Sequence, residues 1–253
     1  DRGIGRALAV AATAFAVVGW TGPATHAVSL PTPAPVRHIT LDATYALKIL
    51  HEVYGRDADL IDRFMREARA ATQTGHPNII DVVDIGTMGD GSLYFVMELL
   101  EGTDLHSVVR QSGAMAVRRA VHVCRQICKA VGAAHDAGII HRDLKSENVV
   151  LIVKGSDPDF VKVLDFGICK QIDTGDAKQT TPGMVMGSPA YMAPEQAAGR
   201  PTSASDLYSL GAVLFHMLEG KKPFTQRSIE EILRAHATED PPPVKAPAGL
   251  DLL

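Results

Sequence analysis

His141-Arg142-Asp143-Leu144-Lys145-Ser146-Glu147-Asn148, followed downstream by Asp165-Phe166-Gly167, decides how this chain is read. The stretch sets an acid, a lysine and two oxygen-donor side chains close together. Phosphoryl transfer from a nucleoside triphosphate needs these residue types, because it asks the protein for positioning and charge neutralisation more than for covalent chemistry. Asp143 is of the kind that takes or orients the proton of an attacking hydroxyl. Asn148 and Asp165 are oxygen ligands, which a hard cation prefers. Lys145 supplies a compact positive charge beside the place a moving phosphate would occupy.

On these residues the chain resembles a eukaryotic-type Ser/Thr protein kinase catalytic domain, most like the bacterial members, and truncated at both ends. The resemblance implies an α+β, two-lobed protein-kinase-like fold. Its N-lobe is a small antiparallel sheet with one helix, here incomplete, and its C-lobe is mostly helical. It also implies ATP and Mg²⁺ as cofactors and Ser/Thr hydroxyls of proteins as acceptors. Asp143 is then the catalytic base, with Lys145 and Asn148 beside it and Asn148 and Asp165 as metal ligands, which are the family's general roles. The interval from Asp143 to Asp165 is longer than the family's usual one. The surplus falls in Lys154-Gly155-Ser156-Asp157-Pro158-Asp159, a polar turn between two apolar strands where an insertion is tolerated.

Other motifs join the first. Lys48 follows Ala46-Leu47 in an apolar strand, where an unpaired ammonium is costly to bury. The resemblance implies that Lys48 binds the α/β-phosphates and pairs with Glu67, in Phe64-Met65-Arg66-Glu67-Ala68; His76-Pro77-Asn78-Ile79 follows at the family's distance. Met97-Glu98-Leu99-Leu100 fits the hinge, with Met97 as gatekeeper and Ala46 and Val150 on either side of the adenine. The implied nucleotide-binding set is therefore Lys48, Glu67, Ala46, Met97, Glu98, Leu100, Val150 and Asp165. His141 orders the catalytic loop rather than titrating. Arg142 implies control by activation-loop phosphorylation, with Thr180 and Thr181 as acceptors, since an arginine can pair a phosphate bidentately. Gly187-Ser188-Pro189-Ala190-Tyr191-Met192-Ala193-Pro194-Glu195 resembles the peptide-docking segment of protein kinases. Ser188 stands for the more usual Thr, keeping a hydroxyl to reach Asp143 and Lys145, and Glu195 lacks its usual arginine partner. Asp206 matches the buried acid that braces the catalytic loop and also suits a helix N-terminus. Taken singly, each charged residue is more often a solvated surface group; their joint order carries the reading.

Composition sets the outer bounds. With 253 residues and 46% hydrophobic content, the chain can bury a core as one domain or two small lobes. The net charge, 25 − 29 = −4, gives no bias toward nucleic acid or anionic membranes. Cys124, Cys128 and Cys169 fit a reduced compartment better than a disulfide scaffold. Cys124 and Cys128 are expected as buried helix thiols. Residues 1–35 depart from the rest: a charged start, an apolar run from Ala7 to Trp20, then Pro/Thr-rich sequence. They imitate a secretory signal, yet the apolar run is short for a membrane span. Export would part the motifs from ATP, so the stretch is taken as a non-native or divergent leader to a cytoplasmic domain.

From Val36 the pattern becomes coherent, with an N-lobe over 36–100 and a C-lobe over 101–253 lacking the family's last helices. Strands are expected at 45–50, 79–85 and 93–97, with a turn at Asp90-Gly91. Helices are expected over 59–72, 103–111, 117–136, 206–218 and 228–237. The family's Gly-rich loop should precede Lys48, and neither Gly3-Ile4-Gly5 nor Gly19 and Gly22 matches it. The implied partners are proteins bearing Ser/Thr acceptors, with a second copy of the chain as a further candidate and no nucleic acid. Two other readings stand beside the enzyme. One is a non-catalytic fragment acting as a binding or scaffold module, argued by the missing ends. The other is a small-molecule kinase, opposed by the peptide-docking segment.

Overall fold

The computed structural model describes residues 34–38, 43–50, 61, 65, 72–88, 92–165 and 188–245. The chain divides into two units, Asp1–Asp62 with Asp81–Leu99, and Arg63–Ile80 with Leu100–Leu253.

Period-two alternation builds the first unit. Strands β1 (Ala34–His38), β2 (Ala43–Leu50), β3 (Val82–Thr87) and β4 (Leu93–Glu98) form an antiparallel sheet in the order β1-β2-β4-β3. The register sets Leu47 opposite Val96, Ala46 opposite Met97 and Lys48 opposite Phe95. Because successive side chains point to opposite faces, Leu47 and Val96 share one face. There they pack with Val36, and Tyr45, Ile49 and Tyr94 border the cluster. Ala46, Lys48, Phe95 and Met97 take the other face, and all four are buried.

Two strand starts are set by the backbone pairing. β1 starts at Ala34, and Ala34 and Pro35 pair with Leu47 and Ala46 of β2. β3 starts at Val82, not at Ile79. Ile79 instead bridges Val163 in parallel, and the Ile80 amide donates to the Val163 carbonyl at 3.0 Å. A continuous apolar run states that a segment is buried, not which sheet it joins. The helix expected over 59–72 lies mostly outside the described residues; Ile61, Met65 and 72–74 are helical. The Asp90-Gly91 turn also lies outside them, although the Met88 amide donates across it to the Ser92 carbonyl at 2.7 Å.

The second unit joins helices to a sheet of β5 (Gly102–Asp104), β6 (Val149–Lys154) and β7 (Asp157–Val163), in that order. Its helices are α1 (Leu105–Ser112), α2 (Val117–Asp136), α3 (Ser203–Glu219) and α4 (Ile229–Thr238). Helix α2 buries Ala120, Val123, Ile127, Ala130, Val131 and Ala134 along one stripe at helical spacing. Helix α1 begins later than expected because Thr103 is in β5 and Asp104 is the N-cap, its carboxylate accepting from the Ser107 amide at 2.8 Å. Helix α4 starts on a capping box. The Ser228 hydroxyl accepts from the Glu231 amide at 3.1 Å, and the Glu231 carboxylate accepts from the Ser228 amide at 3.2 Å. No helix among the described residues is long and apolar enough to cross a membrane.

The β6–β7 hairpin turns at Gly155, whose φ of 61° favours glycine. Its polar tip is anchored to α2. Arg119 forks onto the Asp159 carboxylate at 2.9 and 2.7 Å. The Gln126 amide group gives a hydrogen to the Asp159 carbonyl and accepts from the Val161 and Asn78 nitrogens. The cysteines correct one expectation: Cys124 is half-buried and Cys128 exposed. Cys128 lies one position past Ile127, off the buried stripe. Burial and the neighbouring Cys128 push the Cys124 thiol up to about 11, which makes it a poor nucleophile. Cys169 lies outside the described residues.

Gly102 carries a steric prediction. A Cβ there would collide with the Leu151 carbonyl oxygen across the β5–β6 pair, which is backbone and cannot swing aside. Gly102→Ala is expected to destabilise the chain by about 1–3 kcal/mol in urea unfolding, and an unchanged midpoint would refute the close approach.

Candidate active site

Asp206 is the centre around which the loop is built. It sits in the first turn of α3 with no exposed surface. Its Oδ2 accepts from the His141 amide at 2.8 Å and lies 2.7 Å from His135 Nε2, while its Oδ1 accepts from the Arg142 amide at 2.8 Å. A carboxylate serving that many N–H donors is a charge-assisted hub. It holds Arg142 at a φ of 62°, in the left-handed region that a non-glycine residue ordinarily avoids. Gln196 donates to the Arg142 carbonyl and so holds the peptide on the other side of the same residue. Left-handed backbone at a non-glycine residue costs about 1–3 kcal/mol, so surrounding structure must over-determine it.

His141 has no exposed surface. Its Nε2 donates to the Leu164 carbonyl at 3.0 Å, and its Nδ1 accepts from the Asp143 amide at 3.3 Å. Those roles require the neutral ring protonated on Nε2. Burial lowers its pKa in the same sense, against the opposing pull of Asp206 and Asp143. The ring orders the loop, as its sequence position led one to expect.

The loop then presents its functional groups. Lys145 Nζ lies 3.0 Å from Asp143 Oδ2, and both side chains are partly open to solvent. Asn148 follows in a short 3-10 turn, Ser146–Asn148, whose Asn148 amide bonds to the Lys145 carbonyl at 3.0 Å. Asn148 Nδ2 donates to the Asp143 carbonyl at 3.0 Å, so the amide orientation is fixed and Oδ1 is left as an oxygen donor. The Leu164 amide donates to the Asn148 carbonyl at 2.8 Å, tying the residue before Asp165 to the same turn. Asp165 has a φ of 46°, a second strained non-glycine position. Val150 is half-buried on β6.

In the docking segment, Pro189–Tyr191 forms a 3-10 turn and Pro194–Ala197 a single α-helical turn. Among the described residues the Ser188 hydroxyl makes no hydrogen bond to Asp143 or Lys145. Glu195 Oε1 accepts from the Ser205 hydroxyl. Ser205 Oγ also accepts from the Thr202 amide at 3.0 Å, so the start of α3 and the docking segment share one hydroxyl.

In the first unit, Lys48, Ala46 and Met97 stand on one sheet face, and Lys48 Nζ lies 5.5 Å from the Phe95 ring centre. Glu98 is on the opposite face. Its amide donates to the Asp81 carbonyl at 3.0 Å and its carboxylate accepts from the Asp81 amide at 2.9 Å. The Glu98 N–H is therefore bonded to the chain just before β3. Leu100, half-buried, belongs to the second unit. Glu67, Phe166, Gly167, Thr180, Thr181 and Gly187 lie outside the described residues.

The sequence reading missed His135, Gln196 and the polar trio Ser146, Tyr191 and His216. Ser146 Oγ lies 2.8 Å from His216 Nδ1, and Tyr191 donates to Ser146 at 3.2 Å. A single serine at 146 carries no local sign of which polar partner faces it.

A pH dependence follows from His216. Burial, aided by His106 and Lys222 and opposed by Glu147, lowers its pKa from 6.5 to about 4. Between those values the unfolded chain binds more protons than the folded one, so stability rises with pH across that window. This side chain is expected to contribute about 2–3 kcal/mol of loss on going from pH 7 to pH 4. His216→Gln should flatten the slope of unfolding free energy against pH; an unaltered slope would refute the assignment.

A model of the protein kinase domain matches residues 34–246. Among known proteins, the chain is 42% identical over 210 residues to the serine/threonine-protein kinase pkn3 of Myxococcus xanthus, covering 82% of this chain and 38% of that protein. It is 40% identical over 204 residues to PknA of Mycobacterium tuberculosis, covering 79% and 46%, and 38% identical over 214 residues to PknB of the same species, covering 83% and 34%. The chain thus spans less than half the length of these curated relatives. With the matched domain covering the clamped catalytic loop, the docking segment and both sheets, the chain belongs to the protein kinase family.

Proposed function

We propose that this chain transfers the γ-phosphoryl group of ATP to Ser or Thr hydroxyls of proteins, with Mg²⁺ as cofactor. The observation that supports this most is the Asp143–Lys145 pair at 3.0 Å, on a loop whose strained backbone is clamped by buried Asp206. A base and a cation side by side suit the two ends of one transfer. The acceptor oxygen forms a bond to the γ-phosphorus while the bond from that phosphorus to the bridging oxygen of ADP breaks. Asp143 takes the acceptor's proton, and Lys145 balances charge on the moving phosphoryl group.

The residues fit a divalent cation by chemistry. Asn148 Oδ1 is left available by the bond its Nδ2 makes, and Asp165 adds a carboxylate. Among the described residues no cluster of three or more His, Cys, Asp or Glu side chains is arranged for a metal. Mg²⁺ is commonly held by one or two protein oxygens plus phosphates and water, the kind of ligand that Asn148 and Asp165 would supply. When bound, Mg²⁺ would neutralise phosphate charge. Lys48 would meet the α/β-phosphates, with Glu67 as its partner. Ala46, Met97 and Val150 would line the adenine, and Leu100 would close the hinge. Arg142 with Thr180 and Thr181 would serve phosphate-dependent control, and Ser188 and Glu195 the docking of acceptor proteins. The names of the relatives, all serine/threonine-protein kinases, support protein acceptors.

Calorimetry with Mg²⁺-ATP on this chain and on Asp165→Ala tests the nucleotide part. Binding heat that requires Mg²⁺ and disappears in the variant is expected, and its absence from the unaltered chain would leave a scaffold in place of an enzyme. Asp143→Asn is expected to bind nucleotide yet lose about a hundredfold or more in kcat toward a generic protein acceptor. Turnover of an alcohol metabolite without turnover of protein would move the chain to the small-molecule kinases.

A further inference from the structure

Three polar groups close a triangle next to the catalytic loop, and none has been given a part in the chemistry above. Ser146 Oγ and the Tyr191 hydroxyl lie 2.8 and 3.1 Å from the same nitrogen, His216 Nδ1, and 3.2 Å from each other. Each comes from a different piece of chain: Ser146 from the loop between Lys145 and Asn148, Tyr191 from the docking turn, His216 from α3. Ser146 has no exposed surface, and Tyr191 and His216 have 1% and 4%. Bulk water therefore has little access to replace a lost partner, and Ser146 is too enclosed to act as a nucleophile.

Counting protons fixes the arrangement. A hydroxyl brings one hydrogen. Tyr191 gives its own to Ser146, and Ser146 gives its own to His216, so the series ends on a lone pair at Nδ1 and the imidazole proton sits on Nε2. Lowering of the His216 pKa to about 4 agrees with that neutral ring. His106 faces the ring at 5.6 Å between centres, and Lys222, paired with Glu147 at 3.5 Å, lies over Tyr191. Tyr191 also returns to the backbone of the turn. Its amide donates to the Ser188 carbonyl at 3.0 Å, and its carbonyl accepts from the Ser209 hydroxyl at 2.8 Å.

The geometry points to His216 as a positioning residue for the acceptor protein. Its Nδ1 lone pair ties the docking turn, through Tyr191, to the catalytic loop, through Ser146, and so sets how an acceptor hydroxyl is presented to Asp143. This rests on the phosphotransfer reading above and extends it to a specific consequence. The triangle contains none of the residues assigned to the nucleotide. Loosening it therefore degrades use of the acceptor while leaving use of ATP alone.

The test compares the unaltered chain with His216→Leu, which removes the acceptor atom, His216→Gln, which returns one as an amide oxygen, and Tyr191→Phe, which removes one hydroxyl and keeps the ring. Steady-state kinetics with a protein acceptor are run beside hydrogen–deuterium exchange at the Tyr191 and Met192 amides. His216→Leu and Tyr191→Phe are expected to raise the acceptor KM about tenfold, the scale of one or two lost buried hydrogen bonds, with the KM for ATP unchanged. Exchange at the docking turn should quicken in both, and His216→Gln should restore most of each effect. An unchanged acceptor KM, an equal rise in both KM values, or a Gln variant as impaired as Leu would overturn the inference. If His216→Leu fails to fold, Tyr191→Phe carries the same readouts. An unaltered chain without any transferase activity would overturn the phosphotransfer reading instead. The exchange arm then decides the tie by itself: unchanged exchange overturns it, and quickened exchange that Gln reverses sustains it.

Discussion

The constraint on which the rest depends is the burial of a carboxylate with no exposed surface, Asp206, at the N-terminal turn of α3. An isolated buried carboxylate is expensive, and the cost is offset only if its oxygens are filled with donors. Here the donors are two consecutive backbone amides, His141 and Arg142, and the ring of His135. Consecutive amides can point at one carboxylate only if the chain bends sharply between them. That bend is what puts Arg142 into the left-handed region. The strain at Arg142 and the charge on Asp206 therefore sustain each other, and removing either leaves the other without support.

The loop beyond this clamp is stabilised by polar groups that satisfy one another in sequence, alongside the buried Leu144 side chain. His141 joins the Asp143 amide to the Leu164 carbonyl, and Asn148 joins the Asp143 and Leu164 backbones. Each of these bonds contributes only about 1 kcal/mol net, yet breaking one partner leaves a buried group unpaired at greater cost. A network of that kind specifies one geometry more sharply than a greasy contact would. It lets Asp143 and Lys145 remain partly open to solvent while their backbone stays fixed. The docking segment is attached by the same means, through Glu195 to Ser205 and through Tyr191 to Ser146.

How much of this was legible in the sequence depends on the range of the interaction. Helix α2 was read to its residue bounds, Val117–Asp136, because its apolar stripe repeats at helical spacing over several turns. The β6–β7 turn was read because Gly155 and its polar neighbours state a turn locally. Strand β5 was not, since three residues, Gly102–Asp104, carry no period and are defined only by a partner almost fifty residues on. The start of β3 failed for a related reason: Ile79 and Ile80 look like strand but spend their backbone on Val163. The cysteines were misjudged by treating helical burial as all-round when only one stripe is covered. The Ser205 hydroxyl that serves Glu195 comes from the next helix, and no local pattern announces such a partner.

The two buried lysines show where the sequence and the fold divide the argument. Lys162 on β7 is 6% exposed and donates to the Ile79 carbonyl at 3.2 Å, so its ammonium is used to fasten the segment that enters β3. Lys48 on β2 is 2% exposed, and its Nζ lies 5.5 Å from the Phe95 ring centre. From sequence the two are alike, since each is a lysine in an apolar strand. What separates them is the chemistry of the face they occupy. Lys162 meets a backbone oxygen of its own unit, whereas Lys48 shares its sheet face with Ala46 and Met97, one small and one adaptable side chain.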